Sequence, residues 1–252
     1  MSISIKPSVI QELNETRILG FLSCGWELQV QRANRLVDLI EDTNKHRCEA
    51  ITKMDEAVAN QYYLEQEILY ACHRFLSMWI FAKKSDMDNA WEAMVDTQAT
   101  VDGVCRIQAS TEIIIFDDHL RVCEQVLFRP QTFISSSIRF SRCECSICKG
   151  EYGECDHVAG RLYMGEICIP LRRGDVSIEH FSIVKAPKDK CCRVLRFEQG
   201  TEFFDSLTMR SISEVDTPSE EGMKIQMMCL RVRRQPKIFR FQKSDQMGEL
   251  LD

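Results

Sequence analysis

Residues 143–168 read CECSICKGEYGECDHVAGRLYMGEIC, and this stretch decides how the rest of the chain is interpreted. Cys145 and Cys148 stand in a C-x-x-C spacing, and Cys155 and His157 follow as C-x-H after six residues. Two thiolates two residues apart can converge on one ion, with backbone N–H groups of the turn supporting the sulfurs. A C-x-H pair in an extended segment closes on the same ion after a modest bend. Three sulfurs and one imidazole make a closed tetrahedral zinc set. Gly150 and Gly153 make the short return between the pairs feasible. C-x-x-C alone also suits dithiol redox chemistry, but the second pair after so short a gap favours metal. Cys143 and Cys168 flank the cluster and are rival ligands. A site with four protein ligands leaves no position for water, so the expected role of one Zn2+ is structural.

Working outward, the half before this segment reads as helix. Val30, Ala33, Leu36, Val37 and Ile40 recur at helical spacing between Trp26 and Ile40. A long run from Arg47 to Lys83 contains no Pro or Gly. Its end at Lys83-Lys84 suits the helix dipole, and Ser85 is the expected cap of a third helix carrying Ala90, Trp91, Met94, Val95, Val101 and Val104. Residues 111–128 contain the strand-like run Ile113-Ile114-Ile115. Yet Ile113, Phe116, Leu120 and Leu127 fit one helical face, and helix is the reading adopted, ended by Pro130. The following half alternates short β-prone segments with turns: TFISSSIRF, RLYMGEICIPL, VSIEHFSIV, CCRVLRF and KIQMMCLRVRR. Residues 205–222 are polar and read as loop or linker. The expected fold is therefore α+β: an N-terminal helical bundle, residues 1–128, followed by a small zinc-stabilised β-rich domain, residues 129–252.

Charge follows the same division. Residues 1–128 carry 12 Lys/Arg against 20 Asp/Glu, a net −8, and residues 129–252 carry 20 against 18, a net +2. The 252-residue chain has 13 cysteines. With no basic start and apolar run typical of export, reduced thiols and a cytoplasmic location are the expectation. No stretch has the length of a membrane span.

The segment from LFRPQTFISSSIR through the cluster to HFSIVKAPKDKCCRV resembles a family of uncharacterised bacterial proteins. That family's pattern reads FPPQxF, then CSxCGxxYxxCxHxxGxxYxGxxC, then SxVxxPAxKxCRV. The matching residues are Phe128, Pro130, Gln131, Phe133, Ser135, the four cluster ligands, Gly160, Tyr163, Gly165, Cys168, Ser182, Val184, Pro187, Lys190, Cys192 and Arg193. Arg129 replaces the first Pro of the pattern and Lys149 the Gly after the second cysteine; neither removes a ligand. The resemblance covers about residues 110–195 and implies a metal-supported domain without an associated activity. A shorter version of the zinc segment is similar to parts of some phage structural proteins.

No Gly-rich phosphate loop, HExxH or GxSxG is present. Asp117-Asp118-His119 and Glu179-His180 could suggest acid/base groups, but adjacent residues on a helix diverge and a solvated face is the simpler reading. Ser135-Ser136-Ser137 reads as a polar strand, and Arg161 and Tyr163 could contact a ligand or pack over the knuckle. The leading functional reading is a non-enzymatic binding or assembly protein whose helices meet a protein partner or a second copy. A rival is a nucleic-acid accessory protein. Residues 224–243 hold seven Lys/Arg and no acid, with Phe239 and Phe241 interleaved, so Arg231, Arg233, Arg234, Lys237 and Arg240 are candidate phosphate contacts. An enzyme whose active residues are assembled only by the fold is the third reading.

Overall fold

The computed structural model describes residues 3–214, 222–229 and 238–242. Five helices precede the strands: α1 (Pro7–Leu19), α2 (Trp26–Thr52), α3 (Glu56–Lys83), α4 (Met87–Ile107) and α5 (Thr111–Leu127). The helical-then-β order expected from sequence is observed. Helix α1 was not anticipated, although Pro7 at its first turn is a start signal.

Two helix boundaries differ from the expectation. The run from Arg47 to Lys83 is not continuous, because Met54 adopts a left-handed backbone, φ 57. Asp55 then caps α3, its side chain accepting from the Val58 N–H at 3.1 Å. At the next junction Ser85 is itself left-handed, φ 59. The cap of α4 is Asp86, which accepts from the Asn89 N–H at 3.3 Å. In both places an acidic residue follows a left-handed one and takes the orphan amide.

The chain forms two compact units that interleave in sequence. The first comprises Met1–Arg121, Ser141–Gly174 and Pro236–Asp252; the second comprises Val122–Phe140 and Asp175–Gln235. The cysteine–histidine segment thus belongs to the same compact unit as α1–α4.

In the first unit α3 is central, packing against α1, α2 and α4. Its residues from Ile68 to Phe81 are buried on nearly every side, which is how a helix reads when neighbours cover it all round. Its buried Arg74 is neutralised by Asp96 at 2.7 Å. On α2, Arg32 pairs with Glu12 and with Glu15. The turn after α1 passes so close to α3 that a Cβ on Gly20 would lie 2.0 Å from the Phe75 ring. In α5 the expected face is confirmed for Ile113, Phe116 and Leu120, all buried, while Ile114 and Ile115 are about half exposed. That exposure explains the strand-like appearance of the run: one of three consecutive isoleucines faces the core.

The strands are β1 (Phe133–Cys145), β2 (Leu162–Tyr163), β3 (Glu166–Ile167), β4 (Pro170–Val184), β5 (Val194–Gln199), β6 (Glu202–Asp205), β7 (Ser211–Glu214) and β8 (Ile225–Met227). β1 pairs with β4, β2 with β3, and the last four form a sheet ordered β7-β6-β5-β8. In the second unit β5 and β6 form a tight hairpin, Gln199 opposite Glu202, with Gly200 at φ 65 in the turn. The reading of residues 205–222 as loop is corrected in part, since Ser211–Glu214 pairs with β6. Its alternating Ser-Ile-Ser-Glu is too short to stand out from a polar background. Fully buried Arg193 donates to the Ser206 hydroxyl at 2.7 Å and to the Val194 carbonyl at 3.1 Å. Gln131 bonds the same Ser206 hydroxyl through its carbonyl oxygen, 3.2 Å. Gln131 and Arg193, both in the resembling pattern, are therefore joined structurally. Among the described residues no helix is long and apolar enough to cross a membrane.

Candidate metal centre

The end of β1 delivers Cys145 to a tight turn. The Lys149 N–H donates to the Cys145 carbonyl at 3.0 Å, and the Cys145 N–H to the Gly150 carbonyl at 2.8 Å. Lys149, where the resembling pattern has Gly, is left-handed at φ 62. This turn brings Cys148 back beside Cys145. The chain then passes through Gly153, φ 107, and returns with Cys155 and His157. The candidate ligand atoms of Cys145, Cys148, Cys155 and His157 all lie within 4.8 Å of one another. Sulfurs on one tetrahedral zinc are about 3.8 Å apart, given bonds of about 2.3 Å. A contraction of an ångström or less would close the set.

The donor chemistry fits such an ion. His157 Nδ1 is buried without a hydrogen-bond partner, as suits a nitrogen whose lone pair goes to a metal. The His157 ring stands edge-on to Tyr163, centroids 4.7 Å apart. Tyr163 Oη accepts from the Val158 N–H at 2.9 Å, and Tyr152 Oη from the Ala159 N–H at 3.1 Å. These two phenols brace the loop that carries the histidine; Tyr163 thus packs over the knuckle.

Burial opposes charge on Cys145, but backbone N–H groups of Cys148 and Ile147 and the neighbouring Cys148 and Cys155 side chains outweigh it and hold its pKa at about 6. At Cys148 a backbone N–H from Gly150 favours the thiolate, yet burial and the Cys145 and Cys155 sulfurs prevail and raise it. Thiolates this close repel one another, and a divalent cation among them removes the repulsion. Cys168 is the nearest outsider, its Sγ 3.9 Å from Cys145 Sγ. Burial pushes the Cys168 thiol up to about 11, with the hydrogen bond and charge of Cys145 adding to it. The two sulfurs lie within hydrogen-bond reach of each other, and either can donate. Both Cys143 and Cys168 lie outside the four-residue group.

Beyond the cluster, β2 and β3 form a hairpin whose two turn residues, Met164 and Gly165, are left-handed, φ 47 and φ 74. This turn seats on the helices. The Gly165 N–H donates to Asn60 Oδ1 at 2.7 Å, the Gly165 carbonyl accepts from Arg47 at 3.2 Å, and the Met164 N–H donates to Glu56 at 3.3 Å. A Cβ on Gly165 would approach the Ala59 carbonyl oxygen to 3.1 Å. The metal segment is therefore tied to α2 and α3 by contacts spanning more than 100 residues, which no local spacing announces.

The other candidates are dispersed. Asp117 pairs with Arg121 along α5, while His119 stacks edge-on with Phe21 and Phe75. Glu179 binds Arg139 and Ser137. Arg231, Arg233, Arg234 and Lys237 of the basic segment lie outside the described residues. Arg240 is described, and pairs with Asp38 at 2.9 Å and Glu41 at 3.0 Å on α2. Phe239 and Phe241 do not form a free stacking platform: both pack edge-on against Phe81 of α3. No family model, curated protein or solved structure matches the chain.

Proposed function

We infer that this chain is a zinc-stabilised binding or assembly protein of a bacterial cytoplasm. One Zn2+, held by Cys145, Cys148, Cys155 and His157, would fix the segment whose hairpin grips α2 and α3. The observation carrying this reading is the convergence of four donor atoms within 4.8 Å. Four protein ligands close a tetrahedral ion, so its contribution is folding energy rather than water activation. The bacterial origin rests on the family resemblance, and the cytoplasmic location on thirteen free thiols. The helical bundle supplies the partner surface. Elemental analysis of protein purified without chelator tests the reading: about one zinc per chain is expected, and metal-free protein that is fully folded would overturn it.

A further inference from the structure

The metal segment holds one more buried thiol than a tetrahedral ion needs. Cys145 and Cys168 are both almost fully buried, and their sulfurs lie 3.9 Å apart. A disulfide requires about 2.0 Å between sulfurs, so an approach of about 2 Å would join them. The bonds that hold this pair together involve no ligand atom. The Ser146 N–H donates to the Ile169 carbonyl at 3.1 Å. The Ser146 hydroxyl accepts from the Ile169 N–H at 2.8 Å and donates to the Ile167 carbonyl at 3.2 Å. Cys168 is anchored as well: its N–H donates to the Arg161 carbonyl at 2.8 Å, and its carbonyl accepts from the Gly160 N–H at 2.9 Å. The end of β1 is therefore fixed against the residues after β3, one residue from each sulfur.

The remaining cysteines of the cluster stand differently. Cys148 is exposed and Cys155 is half-buried, so an oxidant in solution meets Cys148 first. Cys148 is in turn hydrogen-bonded to Cys145. The sulfurs thus form a path from solvent, at Cys148, through Cys145 to the buried Cys168.

We propose that a hydroperoxide converts Cys145 and Cys168 to a disulfide, which withdraws one zinc ligand and releases the ion while the β2–β3 hairpin keeps its seat on α2 and α3. The proposal rests on the zinc reading above and adds a reactivity to it. The Cys148 thiolate attacks one peroxide oxygen: an S–O bond forms, the O–O bond breaks, and the leaving alkoxide takes a proton. Cys148 is thereby oxidised by two electrons to the sulfenic acid. The Cys145 thiolate attacks that sulfur, an S–S bond forms, and hydroxide departs as water after taking a proton. Cys168 then attacks Cys145 Sγ, the Cys145–Cys148 bond breaks, and the Cys168 proton ends on Cys148. In sum, two thiols and one hydroperoxide give one disulfide, one alcohol (water, for hydrogen peroxide) and one water. Exchange runs toward the buried pair because a disulfide shielded from solvent is harder to reduce than an exposed one. Cys148, Cys155 and His157 then remain, one short of a closed tetrahedral set. The bonds of Gly165 to Asn60 and Arg47 use none of these sulfurs, which is why the hairpin stays in place.

The test treats full-length, zinc-loaded protein with equimolar hydrogen peroxide. Trypsin places the pair on peptides 143–149 and 162–172, and fragmentation of the linked peptides separates Cys145 from Cys143 and Cys148. The expected product is Cys145–Cys168, with about one zinc per chain passed to a chelating dye. Hydrogen exchange should quicken over residues 150–160 and stay unchanged over residues 162–166. Cys145–Cys148 or Cys148–Cys155 as the final disulfide overturns the proposal. So does zinc retained by chains that carry Cys145–Cys168, or protection lost over residues 162–166. Cys168→Ser gives a second measure: after peroxide it should regain zinc on treatment with glutathione, whereas wild type should not. Equal recovery overturns the buried end point, and if this variant does not fold the wild-type peptide map decides alone. Protein that holds no zinc before peroxide removes the reading on which the proposal rests, while the same peptides still decide the sulfur pairing.

Discussion

Lys149 carries a backbone conformation that L side chains avoid, at φ 62, in the turn that returns Cys148 to Cys145. Left-handed geometry costs a non-glycine residue about 1 kcal/mol. Lys149→Gly should therefore raise the unfolding free energy by up to about 1 kcal/mol, measured by urea denaturation of zinc-loaded protein, without altering metal content. The sequence alone points to the four ligands, because spacing in a short segment translates directly into proximity. It leaves Cys168 open, because its relation to Cys145 depends on a hairpin closing across 23 residues. With Cys143 and Cys168 outside the four-residue group, Cys168→Ser and Cys143→Ser should keep one zinc per chain. Cys148→Ser or His157→Ala should lose it and lower the melting temperature. Zinc loss from a folded Cys168→Ser chain would move Cys168 into the ligand set.

At the scale of elements, helices were legible wherever a polar face opposed an apolar one, as in α2 and α4. Their junctions were legible only in part: α3 ends at Lys83 as expected, but the break at Met54 and the caps Asp55 and Asp86 were not foreseen, because each cap follows a left-handed residue that has no compositional mark. Each cap is worth about 1 kcal/mol, so Asp55→Ala should lower stability by that amount in a denaturant titration. The β2–β3 hairpin is a stronger case. Gly165 needs φ 74 and meets the Ala59 carbonyl oxygen, so an added methyl is opposed by both strain and contact. Gly165→Ala should destabilise by about 1–3 kcal/mol. It should also increase proteolysis within residues 141–174 while the metal remains bound. The short β6 and β7 escaped a periodicity reading because four-residue strands give too few alternations, and the pairing of β6 with β5 is fixed by a hairpin turn at Gly200 rather than by pattern.

For the whole molecule, the contacts hardest to foresee join residues far apart in sequence, and His73 is the clearest of them. Burial, with the adjacent Arg74 charge, depresses its pKa from 6.5 to about 4 despite the Phe239 carbonyl that favours the proton. The unfolded chain binds that proton more readily. The stability contributed by neutral His73 is thus complete above about pH 6.5, declines as pH falls toward 4, and changes no further below it. The loss amounts to about 3 kcal/mol. His73→Gln should flatten this part of the pH–stability curve, and an unchanged curve would remove His73 as its source. The partner of that imidazole lies 166 residues later in the chain. At ribosomal rates of about 5–20 residues per second, its synthesis follows on the order of 8–33 s behind. Throughout that interval His73 of a nascent molecule lacks the carbonyl that it bonds in the finished chain.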